Sequence, residues 1–175
     1  MKGMKIMILV MIIGIVIGSM WNSVPIISQL AHIILDPTVG RLLNWNINLG
    51  MITITFMITL IITLLHKYTT DQETLRKIKA EQKILQKEMQ KYKNHPEKLL
   101  EFQKKQFEFI PKTFDITMKP LIYTSIPIIL FFRWFSDYFS NIGEFKFFGF
   151  FNWFWFYLIL TIFFSSVLRK VLKVA

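Results

Sequence analysis

The sequence predicts an all-α integral membrane protein: three core transmembrane helices plus an antiparallel coiled-coil hairpin in the cytoplasm. The first observation is an alternation of charge. Leu42–Leu65, Pro120–Phe132 and Phe147–Leu168 contain no Asp, Glu, Lys or Arg, whereas Lys67–Lys112 holds 12 Lys and Arg and 7 Asp and Glu. A helix needs roughly 20 apolar residues to cross a bilayer, or about 17 where the bilayer is thin. The first and third stretches therefore qualify outright, and the middle one by borrowing its ends. The second observation is composition: 53% hydrophobic residues, 16% aromatic and a mean hydropathy of +0.44 over 175 residues are too apolar for a soluble domain of this size.

The third observation is where the charges fall. A net charge of +10 spread over a soluble fold would suggest nucleic acid, but here the cations segregate. Besides the 12 in the hairpin, Lys119, Arg169, Lys170 and Lys173 abut span ends on the hairpin's side, leaving Arg41, Arg133 and Lys146 opposite. The positive-inside rule then places the hairpin and C-terminus in the cytoplasm of a multi-pass plasma-membrane protein. The chain has no cysteine, which excludes disulfides, thiol catalysis and Cys-based metal sites.

The first element, residues 1–21, pairs two lysines with an apolar run from Ile6 to Trp21. It reads as an extra span, a cleaved signal or an interfacial helix, since no clear A-x-A cleavage signal follows. Residues 22–40 carry Pro25, Asp36 and Pro37 around an apolar centre too short to span, and are expected to lie along the outer surface.

The first core span is expected over 41–66. On an unbroken helix at about 100° per residue, Arg41, Asn44, Asn48, Thr55, Thr59, Thr63 and His66 share an arc of about 100°, while Asn46 and Thr53 fall outside it. Two readings remain open. Threonine hydroxyls can bond their own helix and pack against a neighbour, or the stripe can line a hydrated groove open to the cytoplasm.

Residues 67–112 form the hairpin. Leu75, Ile78, Leu85, Met89 and Tyr92 recur at helical spacing to Tyr92, Asn94-His95-Pro96-Glu97 reads as a turn and new helix start, and a returning arm carries Leu99, Leu100, Phe102, Phe107, Phe109 and Ile110. The arms are expected to pair as a coiled coil. Phe102, Phe109 and Met118 exceed what its seam needs. The mixture of Lys and Glu suits a solvated face, although the basic excess could also meet acidic headgroups or ribosomal RNA.

The second core span is expected over 113–135. It contains Lys119-Pro120 and Pro127, with Thr117 and Thr124 on one face and Arg133 and Trp134 near its outer end. A short outer loop, 136–146, leads to the third span, 147–168, and a basic tail, 169–175. The aromatic run from Phe148 to Tyr157 fits an interfacial belt, and Thr161 and Ser165 share a face toward the cytoplasmic end.

The stretch His66–Gln106, followed by Met118–Trp134, resembles the archaeal YidC-like membrane proteins. These belong with the YidC, Oxa and Alb insertases and a subunit of the ER membrane protein complex. Tyr68-Thr69-Thr70-Asp71-Gln72, Pro96-Glu97-Lys98-Leu99, Lys119-Pro120, Ile126-Pro127 and Leu35-Asp36-Pro37 carry the likeness. It implies three spans around a hydrophilic groove, a cytoplasmic hairpin, and assisted insertion of nascent membrane proteins. On that implication the groove comprises Asn48, Thr55, Thr59, Thr63, Thr124 and Ser165, with Arg41 as its only arginine on the right face. The client-contacting part of the hairpin comprises Met89, Phe102, Phe107, Phe109 and Met118, and Lys83, Lys87, Lys91 and Lys93 are where a ribosome or lipid surface would touch. The bilayer, nascent chains, the ribosome and a further membrane subunit are the expected partners. Short spans would thin the bilayer and shorten the polar path.

No cofactor, metal or catalysis is expected. His32, His66 and His95 lie in separate regions, the charge-free runs hold no Asp or Glu, and there is no Ser/His pair or HExxH helix. A small channel or transporter, or a membrane-anchored scaffold, are the alternatives.

Overall fold

The computed structural model describes residues 2–93, 95–143 and 145–174, with the side chains of residues 2–7 and Lys119 outside that description. The expectations for the charges of Lys2, Lys5 and Lys119 and for Asn94 in the turn therefore lie outside the described residues. The described chain is all-helical: α1 (Lys2–Ser19), α2 (Pro25–Leu35), a π-helical turn (Asp36–Gly40), α3 (Arg41–Trp45), α4 (Ile47–Thr69), α5 (Gln72–Lys91), α6 (Pro96–Ile142) and α7 (Trp153–Val171). By length and composition, α4 and α7 can each cross a membrane, and the bent α6 supplies a third candidate span.

Arg41–His66 is not one helix. Asn46 adopts an extended conformation (φ −156°, ψ 112°) and its side chain accepts the amides of Asn48 and Leu49 at 3.1 and 3.0 Å. A residue that offers the backbone a side-chain acceptor starts a helix better than it continues one. Gly50 makes the corner tight, since a Cβ there would lie 2.6 Å from the Leu42 carbonyl oxygen. The expected stripe loses Arg41 and Asn44 for this reason: they belong to α3, which folds back across the start of α4, and both are exposed.

α5 begins at Asp71, whose carboxylate accepts the Thr74 amide and hydroxyl at 3.0 and 2.7 Å. Leu75, Ile78 and Leu85 are buried as α5 packs antiparallel to the first arm of α6. Tyr92 closes the tip, its ring meeting Phe102 at a 40° tilt and 5.8 Å, with the Lys98 ammonium 4.4 Å from its ring centroid. Arg76 ties the hairpin base to the bundle by donating to the Lys173 carbonyl at 2.6 Å, which satisfies a carbonyl beyond the end of α7 with a favourable charge.

α6 is 47 residues long and contains Pro111, Pro120 and Pro127. Proline removes a backbone donor and crowds the preceding turn, and the helix bends by 58° between Met118 and Pro120. The hairpin arm and the span are thus one bent helix. At its other end the helix runs through Ser136–Ile142, residues expected in a loop, and ends where Gly143 takes φ +89°. The third helix correspondingly starts at Trp153 rather than Phe147, with Asn152 accepting the Trp155 amide at 3.0 Å. Phe147 and Phe151 pair across the intervening turn.

Away from the hairpin, the far end of the bundle is an aromatic core. Trp134, Phe135 and Phe147 are fully buried. The Trp153, Phe135 and Phe139 rings are near-parallel and mutually adjacent, with centroids 5.7–5.8 Å apart, and Phe147 stacks on Phe156 at 4.3 Å. Such ring pairs add about 0.5–1.5 kcal/mol each beyond their buried area, so side-chain stacking ties α6 to α7 at this end.

Candidate functional site

The far-end stack joins α6 to α7, and α4 runs beside α7. Toward the hairpin, α4 and α6 leave a cleft between them of about 260 Å³. It is lined by Ile58, Ile61, Ile62 and Leu65 of α4 and by Tyr123, Thr124, Pro127, Ile128 and Phe131 of α6, with Tyr157 of α7 at its base. Thr124 is 7% exposed and its hydroxyl donates to the Pro120 carbonyl, one turn earlier in the same helix, at 3.0 Å. The cleft wall is therefore apolar in character, a surface for hydrocarbon rather than for an ion.

The expected groove residues are distributed around this cleft rather than gathered in it, and Thr124 alone lines it. Thr55, Thr59 and Thr63 are at most 3% exposed, and their hydroxyls donate to Met51, Thr55 and Thr59 carbonyls at 2.7, 2.7 and 2.6 Å. They lie on a different face of α4 from Ile58, Ile61 and Leu65. Phe56 of α4 meets Phe164 edge-on at 5.3 Å, which puts α7 on the threonine side. In this conformation the threonines form a ladder inside the α4–α7 packing, not the wall of an open groove. Asn48 is exposed in the first turn of α4, Arg41 is exposed on α3, and Ser165 is half-buried on α7.

On the hairpin, Phe107 is 67% exposed, whereas Met89, Phe102, Phe109 and Met118 are half-buried. Phe102 is engaged by Tyr92, and the Lys105 and Lys112 ammonium groups lie 5.9 Å from the Phe102 and Phe109 ring centroids. Two residues not expected as contacts join Phe107: Leu100 and Ile110 are 58% and 55% exposed, and at spacings of seven and three they share its face. The signal was available as periodicity but was absorbed into the expected seam. Lys83, Lys87, Lys91 and Lys93 are all exposed, the first three at four-residue spacing. Lys105 instead donates to Glu101 at 2.8 Å, a bond that holds Glu101 below and Lys105 above their ordinary pKa values.

A second cluster, not expected from the sequence, lies at the far end. Trp134 donates to Asp36 Oδ1 at 2.7 Å, Trp21 to Asp137 Oδ2 at 2.5 Å, and Tyr138 to Asn44 Oδ1 at 2.6 Å. His32 sits between the carboxylates, its Nδ1 3.0 Å from Asp36 and its Nε2 3.7 Å from Asp137. Apart from His32 and Asp36, these partners are far apart in sequence, so no local pattern announces them. Together they explain the length of α6. Asp137 and Tyr138 read as loop residues, but their polar groups are met by neighbouring elements.

Residues 32–175 match the family described as integral membrane protein, EMC3/TMCO1-like. No curated protein and no solved structure matches the chain.

Proposed function

Because the chain belongs to the EMC3/TMCO1-like integral membrane family, part of the Oxa1/YidC/Alb3 insertase superfamily, we propose that it is a non-enzymatic insertase of the archaeal YidC-like type. Its clients are nascent membrane proteins. The hairpin and C-terminus face the cytoplasm of the plasma membrane, by the charge asymmetry already described.

The observation that carries this reading is the apolar cleft between α4 and α6, open toward the hairpin and backed by aromatic packing. A nascent apolar segment is first met by Leu100, Phe107 and Ile110 on the hairpin. It then passes to the cleft, where Ile58, Ile62 and Ile128 offer side chains as apolar as lipid. Its polar flank is the costly part, because an unsatisfied peptide group in hydrocarbon costs several kcal/mol. Thr55, Thr59 and Thr63 can help once α7 yields, since each hydroxyl bonded to its own helix can turn to a client group. The aromatic stack around Trp153 keeps the far end shut to ions meanwhile. Lys83, Lys87 and Lys91 supply a cationic row for the ribosome's RNA.

Site-specific photocrosslinking of ribosome-bound nascent chains tests this directly. A probe at Ile62 in the cleft should capture a client carrying an apolar segment at least ten-fold better than one at lipid-facing Phe163, which is 59% exposed. Equal capture at both positions, or none at Ile62 with folded protein and abundant client, overturns the reading.

A further inference from the structure

α1 lies outside the residues that match the family, yet α1 and α6 are the most extensively packed helix pair in the described chain. Their register is fixed at two levels. A Cβ on Gly14 would overlap Ile129 Cδ1, and one on Gly18 would lie 3.3 Å from Ile129 Cγ2. Both glycines thus admit a single side chain of α6 against the α1 backbone, the small-x3-small arrangement that brings helices close in lipid. Just beyond α1, Trp21 is 1% exposed and donates its indole N–H to Asp137.

Ile129, Arg133 and Asp137 follow at four-residue spacing and so share one face of α6. Arg133 therefore lies between the two points of contact with α1, and its Nε is buried. Thr124, Ile128 and Phe131, which line the cleft, lie on the other side of the helix. The contacts also rise in the same order along both helices, from Gly14 at Ile129 to Trp21 at Asp137, so α1 and α6 run parallel.

We infer that this back face of α6 is a docking face for a transmembrane helix and that α1 is its occupant in the mature protein, a retained span parallel to α6. The face takes a helix with two small residues one turn apart opposite Ile129 and an indole donor beyond them opposite Asp137. The occupant does what lipid cannot: it covers an arginine and an aspartate that are expensive to expose to hydrocarbon. Neither a cleaved signal nor a helix lying flat on the surface would do so. The inference is independent of what the cleft carries.

The test uses the full chain, which has no native cysteine, with spin labels at Met11→Cys and Ser140→Cys in liposomes. Both positions are exposed. The doubly labelled protein should give one narrow distance distribution. Gly14→Leu should broaden it and Gly14→Leu/Ile129→Ala should restore it, because the second change returns the volume the first consumed. A broad distribution without Gly14→Leu, or no effect of that substitution, overturns the inference. Trp21→Phe, a milder change than Gly14→Leu, should broaden the distribution partially, and no change with it counts against the indole contact. Intact mass of the protein from native membranes should include residues 8–19, and their loss also overturns the inference.

Discussion

Trp134 and Asp36 are 98 positions apart, yet the indole N–H of one meets the carboxylate of the other at 2.7 Å and pins the π-helical turn to the far half of α6. Hydrogen bonds to charged groups contribute about 1.5–3 kcal/mol when buried. The Asp36 side chain is 56% exposed, so about 1 kcal/mol is the fitting scale. Trp134→Phe should lower the thermal midpoint in detergent by a few degrees. Asp36→Asn should do the same, and the double substitution should cost clearly less than the sum. Strict additivity would mean that the two residues are not coupled.

How much of this was legible in advance depended on the range of the interaction. The charge-free runs and the hairpin's apolar spacing are local, and they gave the helices that form. The Asn46 break was also local, because asparagine as a helix start is a known signal; a wheel drawn through it hid the break. The extension of α6 to Ile142 was not local. Ser136, Asp137, Ser140 and Asn141 look like a loop until Trp21, His32 and Asn44 arrive from the other end of the chain. The threonine ladder was legible as a stripe, but a helix wheel cannot say whether a stripe faces water or a neighbouring helix.

Asn46 gives a prediction of its own. Replacing a side-chain cap by alanine costs about 1 kcal/mol, and alanine also favours helix across the break. Asn46→Ala should therefore both lower stability and let α3 align with α4. Gly50→Ala should destabilise more, because its Cβ meets the Leu42 backbone rather than a side chain that can move. Spin labels at Leu42 and Leu49, both exposed, report the change. A longer separation in Asn46→Ala than in the unsubstituted protein is expected, and an unchanged separation with unchanged stability removes the cap from the account.

Asp71 links the start of the hairpin to pH. The Thr74 amide and then the Thr74 hydroxyl hold its carboxyl below the ordinary value. A carboxylate depressed in the folded state stabilises above the unfolded pKa, about 4, and that contribution is lost as pH falls through the folded value. The protection of the Thr74 and Leu75 amides, taken as the ratio of intrinsic to observed exchange rate, should thus fall below about pH 4 in the native protein. Asp71→Asn, which keeps an acceptor but cannot titrate, should flatten that response; a retained acid response in the variant would assign it to another group.

The threonine ladder separates stability from function. Each of Thr55, Thr59 and Thr63 is buried and bonded only to its own helix in the resting bundle, so valine, of nearly the same shape, removes a bond that the fold does not depend on. The triple Thr→Val protein should keep its thermal midpoint within a few degrees. If α7 yields during insertion and the hydroxyls then serve a client's polar flank, the same protein should lose about ten-fold in insertion of clients with polar translocated segments, the scale of one lost hydrogen bond, and little for clients without them. Phe107→Ser/Ile110→Ser should show the complementary pattern, with early client crosslinking to the hairpin reduced for every apolar segment and stability unchanged, because both side chains are already exposed. Equal losses for both client classes in the valine protein would mean that the ladder acts through packing against α7, and the groove would then have to be sought on the apolar wall around Ile62 alone.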